Sequence, residues 1–147
     1  MYKKLIVILI AILLQNFAFS QTEKGLASAA EAKAKSQLII DDITNDDLPA
    51  AFEKIRAIWI LPEDELDYLE NRTIEQLNSI GDRFGARIGN KLVQEDLIES
   101  VLYRLTYVVK FEKHGIRIQF IFYNGAAGKW YLNNFKWDDS LSKLFEE

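Results

Sequence analysis

The chain has 147 residues, 49% hydrophobic and 27% charged, with a formal net charge of −4. That is the size and composition of one globular domain able to bury a real core. No cysteine and only one histidine are present, which excludes disulfides, thiolate metal sites, cysteine nucleophiles and any multi-histidine metal site within one chain.

The first twenty residues read as a targeting segment. Lys3 and Lys4 form a positive start, Leu5–Leu14 is an unbroken apolar run, and Ala18-Phe19-Ser20 places small residues at a cleavage position. The run is short for a membrane span. The expectation is a bacterial secretory signal peptide cleaved before Gln21, with an uncleaved anchor as the alternative. A periplasmic or secreted protein with no stable membrane anchor would result, and residues 21–147 would form a single domain.

Thr22–Ile43 reads as helix, rich in alanine. Leu26, Ala30, Ala34 and Leu38 recur at spacing four, followed by Ile39, Ile40 and Ile43. A second helix starts near Leu48-Pro49 with Asp46 or Asp47 as its cap, buries Phe52, Ile55 and Trp59, and stops at Pro62. A third opens on Glu63-Asp64-Glu65, acids that suit a helix N-terminus, and carries Leu66, Leu69, Leu77, Ile80 and Phe84 as its buried stripe. Lys91–Glu99 is read as a short edge strand that turns near Glu99-Ser100.

The strongest pattern follows. In Val101–Glu112 the odd positions are all apolar or aromatic, and in Ile116–Asn124 the apolar face moves to Ile116, Ile118, Phe120 and Phe122. Both are half-buried strands. A two-residue turn at His114-Gly115, with glycine supplying a positive φ, would pair Phe111 with Ile118, Val109 with Phe120 and Tyr107 with Phe122. A third strand, Lys129–Trp137, would set Phe122 against Trp130 and Phe120 against Leu132, leaving Tyr131, Phe135 and Trp137 on the opposite face. Leu141, Leu144 and Phe145 close the chain in a short helical turn.

Three helices before an antiparallel meander make an α+β fold, with N-terminal helices on one face of a curved sheet. The element order, Arg83-Phe84-Gly85, the hairpin YVVKFEKHGIRIQFIFY and the segment GKWYLNNFKWDD resemble exported bacterial proteins of the cystatin-like, nuclear-transport-factor-two-like group. The resemblance implies a cone between sheet and helices that often forms a pocket. It implies no single function, because that group includes enzymes, binding modules and structural domains.

Candidate sites follow from the faces. Trp59, Tyr103, Tyr107, Phe122 and Trp130 would line an apolar ligand pocket in the cone or fill it as core. Enzymes resembling this fold use a pocket carboxylate as base with tyrosine as donor. The buried stripes here carry no acid, and only Asp96 or Asp67 reach the rim. His114 sits at a hairpin tip, where a general base has neither partner nor shelter. No catalytic residue, metal site or cofactor is assigned. On the outer face, Arg104 and Arg117 join Ile121, Tyr131, Phe135 and Trp137 as a protein interface, unless Leu141–Phe145 folds back over it. Nucleic acid is a poor match for an exported acidic protein.

Charge is uneven: residues 41–70 hold ten acids against Lys54 and Arg56, and residues 100–137 hold six cations against Glu112. The expected function is a non-catalytic binding or protein-interaction module, meeting another protein or a second copy. A small-molecule enzyme or carrier using the cone is the alternative.

Overall fold

The computed structural model describes residues 24–146. Residues 1–20, the leader, and the cleavage point at Gln21 lie outside the described residues. The fold is three helices followed by a curved, open, four-stranded antiparallel sheet: α1 (Ala29–Thr44), α2 (Leu48–Arg56), α3 (Glu63–Phe84), β1 (Arg87–Ile98), β2 (Leu102–Phe111), β3 (Gly115–Asn124) and β4 (Trp130–Asp138). The strands lie in sequence order, β1-β2-β3-β4.

Helix α1 starts later than its alanine content suggests. Ser28 caps it, accepting from the Glu31 amide at 3.1 Å, while Glu31 accepts from the Ala27 amide. Such a reciprocal cap fixes a helix start. Residues before it run extended, and Leu26 exchanges two backbone hydrogen bonds of 2.8 Å with Trp130. The buried stripe is Ala32, Ser36, Ile39, Ile40 and Ile43, and Leu38 is half exposed. Burial follows the three isoleucines, which outweigh an alanine row at spacing four.

Helix α2 is capped by Asp47, which accepts from the Ala50 amide at 3.1 Å. It ends at Arg56, short of Pro62. The chain leaves it because Trp59 forms a parallel bridge with Leu132, through Leu132 N–H to Ile58 O at 3.2 Å. Helix α3 opens on its three acids and ends at Gly85, whose φ of 85° favours glycine.

The strands carry the main corrections. β1 spans 12 residues, longer than expected, with irregularities between Arg87 and Gly89 and between Leu92 and Gln94. It turns through Glu99 and Ser100, both at positive φ. The β2–β3 turn lies at Glu112-Lys113, with Phe111 N–H bonded to His114 O at 2.8 Å. Tyr107 therefore faces Ile118, four residues from the expected Phe122. The turn is set from outside: Glu112 and Lys113 donate to Ala86 O and Phe84 O, tying it to the end of α3. Gly115 is not a turn glycine. It lies in β3, where a Cβ would come within 3.1 Å of Val108 Cγ1.

β4 pairs Phe122 with Leu132, two residues from the expected Trp130. A bulge then shifts the register between Ile121 and Phe122, and Phe120 meets Phe135 while Ile118 meets Trp137. One extra residue reverses the alternation. Phe135 and Trp137, expected on the outer face, therefore lie on the inner one, packed against the core. The Phe135 ring stands 5.3 Å from Phe120 and 6.1 Å from Phe52.

Candidate functional site

The inner face is one aromatic and aliphatic cluster. Trp59, Tyr103, Tyr107, Phe122 and Trp130 are all buried in it. The rings occupy the space between helices and sheet: Tyr103 meets Trp130 edge-on at 6.1 Å and Tyr107 meets Phe120 at 6.0 Å. These are favourable packing geometries for aromatic pairs.

An acid does reach this face, and neither Asp96 nor Asp67 supplies it. The Tyr103 hydroxyl donates to Glu95 Oε1 at 2.5 Å, and Lys33 Nζ donates to Glu95 Oε2 at 2.6 Å. Asp96 instead pairs with Arg104 on the outer face at 3.1 Å, and Asp67 bonds Arg56. The irregularity at Leu92/Gln94 sets which of Glu95 and Asp96 points inward. That signal is not visible in an alternating sequence.

The electrostatics of this trio oppose acid–base chemistry. The bond from Lys33, and then that from Tyr103, hold the Glu95 carboxyl below its ordinary range. Burial, and then the bond to Glu95, push the Tyr103 hydroxyl up. Glu95 is thus a weak base and Tyr103 stays protonated, where a general base needs a pKa near the working pH. The Glu95 side chain is also 41% exposed to solvent. Tyr107 is pushed up to about 12 by burial first, then by the charges of Glu95 and Asp41. Its hydroxyl is buried with no hydrogen-bond partner among the described residues. Among these residues no cluster of His, Cys, Asp and Glu has the arrangement of a metal site. His114 lies exposed at the hairpin end, its ring 4.4 Å from Phe84.

The outer face divides in two. Over one half, the short helical turn Leu141–Phe145 folds back, held by Gln94 Nε2 on Leu144 O at 3.3 Å. Thr106, Arg117 and Gln119 are buried on this half, and Gln119 donates to Thr106 at 3.1 Å. Arg117, 3% exposed, donates to Asp138 at 2.9 Å. Burial pushes the Asp138 carboxyl up, but its bonds from Arg117 and from the Ser140 amide win and hold it low.

The other half is open. Ile98, Leu102 and Tyr123 are exposed, with Ile121 and Tyr131 half-buried beside them. Residues Glu95 to Ile98 of β1, with Leu102, Arg104 and Ile121, line a shallow depression of about 540 Å³. Of the residues expected at an interface, Arg104, Ile121 and Tyr131 belong to this patch. Arg117 lies under the C-terminal turn, and Phe135 and Trp137 face the core. Tyr123, which alternation along β3 also puts on the outer face, joins the patch, and sequence reasoning missed Ile98 and Leu102.

The charged segments are largely neutralised where they stand. Arg56 binds Glu63, Asp67 and Glu70, which raises its pKa further. Asp42 pairs with Lys54. No protein-family model matches this chain, and no curated protein or solved structure is significantly similar to it.

Proposed function

We propose that this protein is an exported, non-catalytic protein-interaction module, and that the open half of its outer sheet face is the contact surface. The carrying observation is the contrast between the two sheet faces. The aromatic side chains that could have walled a pocket are packed against one another. An apolar patch of Ile98, Leu102, Ile121, Tyr123 and Tyr131 stays uncovered. Export rests on the leader pattern of Met1–Ser20. Among the described residues no helix is long and apolar enough to cross a membrane. We read the α+β arrangement of three helices and an antiparallel sheet together with the cystatin-like resemblance of the sequence, a group that serves binding as readily as catalysis.

The partner this face fits is a second copy of the chain. Arg104 and Asp96 sit side by side at the rim of the patch. A twofold axis would lay apolar on apolar and set each pair against the other in inverse order, the self-complementarity an isologous contact needs. Sedimentation equilibrium on residues 21–147 tests this. The wild type should show concentration-dependent association, and the Leu102→Glu, Ile121→Glu double variant should stay monomeric with an unchanged circular dichroism spectrum. A folded wild-type monomer at every concentration rejects self-association.

A further inference from the structure

A second surface lies where α3 meets the edge of β4, away from that patch. A groove of about 440 Å³ runs between them. On the helix side it is lined at positions 68, 69, 72, 73, 76 and 80, one face followed over three turns. On the sheet side it is lined by the consecutive residues 135 to 139. Consecutive residues point to opposite faces, so a groove that touches all of them runs along the strand's edge. The two walls match in length, on the order of 15–18 Å.

This edge accepts backbone pairing elsewhere. Its first half already takes Leu26 at Trp130 and Trp59 at Leu132. Beyond Leu132, β4 makes no backbone hydrogen bond outside the sheet to any described residue until the turn at Asp139. An unpaired edge is a template for another strand.

The charge lining the groove selects the strand. Asp138 is engaged by Arg117 and Lys143, and Asp139 by Arg83. Among the described residues Arg72 donates only to the neutral Tyr68 hydroxyl, at 3.0 Å, and Lys136 has no ion pair. Two uncompensated cations therefore border a groove walled by Tyr68, Leu69 and Trp137, on a protein that is acidic as a whole.

We propose that this groove binds an extended acidic peptide segment of another protein, which adds as a fifth strand beside β4. Its apolar side chains lie on Trp137, Phe135 and Leu69. Its outward carboxylates meet Lys136, on the outer face opposite Gln119, and Arg72 on the helix wall adds positive potential along the groove. Backbone pairing supplies the affinity and the two cations set the preference for acid.

The test uses an end-blocked peptide of alternating valine and glutamate, about eight residues long to cover the free edge. Trp59 and Trp130 are buried in the core, so Trp137 reports on the groove. Titration should change tryptophan fluorescence saturably and more weakly as salt rises. An alternating valine–lysine peptide should not bind. Arg72→Ala with Lys136→Ala should weaken binding about tenfold or more with an unchanged fold, since both side chains are exposed. No saturable change, equal binding of the lysine peptide, or unaltered binding by the double variant would overturn the proposal. Equal binding of free succinate, which has no backbone to pair, would overturn the added strand.

Discussion

The two faces of one sheet differ in what they bury, and the difference separates what holds this molecule together from what it offers to others. The inner face is continuous: Leu105, Tyr107, Ile118, Phe120 and Phe122 are sealed under α1 and α2. The outer face is a patchwork. Polar Thr106, Gln119 and Arg117 are buried under a five-residue turn, and aliphatic Ile98 and Leu102 are left in water. Apolar burial stabilises the first, hydrogen bonds and the ion pairs of Asp138 with Arg117 and Lys143 hold the covered half of the second, and the open remainder leaves aliphatic side chains in water beside the Arg104–Asp96 pair. Surface that contributes little to stability is where a function can be carried without loss of the fold.

The largest effect should come from the inner face. Phe120→Ala should cost about 3–5 kcal/mol in denaturant melts, because the ring is fully buried. Ile121→Ala, the next residue on the open face, should cost under about 1 kcal/mol. Equal losses would erase the distinction between the faces.

Arg117→Ala should cost about 3 kcal/mol, since it leaves Asp138 beside an empty site under the turn. This contribution depends on pH. Asp138 titrates lower in the folded state than unfolded, so its stabilisation is full above the ordinary carboxylate range. It is lost as pH falls through the lowered folded value. Asp138→Asn should therefore be less stable than wild type near neutrality, with the gap closing in acid. A gap that widens in acid would contradict the assignment.

The bulge can be tested on one strand. Phe135→Ala should cost about 2–4 kcal/mol and Tyr131→Ala about 1 kcal/mol, whereas unbroken alternation would put both residues on the outer face and make the two losses similar and small. The smallest effect concerns two hydroxyls. Tyr103→Phe should destabilise by about 1 kcal/mol by removing the bond to Glu95. Tyr107→Phe should be neutral or stabilising, since its buried hydroxyl has no partner among the described residues. Thermal melts of the pair would show it.

Much of this was legible in the sequence, for a definable reason. The alternation in Val101–Glu112 and Ile116–Asn124 places side chains on faces whatever the pairing, because a slip by an even number of residues keeps every side chain on its own face. Tyr107 thus sits inside although its partner is Ile118 and not Phe122. The same argument excludes only odd slips, so it could not locate the turn. Glu112-Lys113 is placed by backbone bonds to Phe84 and Ala86, contacts that no local pattern reveals. The bulge in β4 leaves no compositional mark, and it moved Phe135 and Trp137 inward. The patch itself was half legible: Ile121 and Tyr131 followed from parity. Ile98 and Leu102 depended on how far β1 extends and where the C-terminal turn stops.

The account rests on a separation between stability and binding across the sheet, and two leucines three residues apart on β2 test it directly. Leu105 is sealed inside, and Leu102 is 37% exposed outside. Unfolding free energy and self-association constant should both be measured for Leu105→Ala and Leu102→Glu. The prediction is that Leu105→Ala loses about 3 kcal/mol of stability while its folded fraction associates like wild type, and that Leu102→Glu keeps its stability and loses association. A Leu102→Glu protein that unfolds, or one that associates as wild type does, would contradict the account.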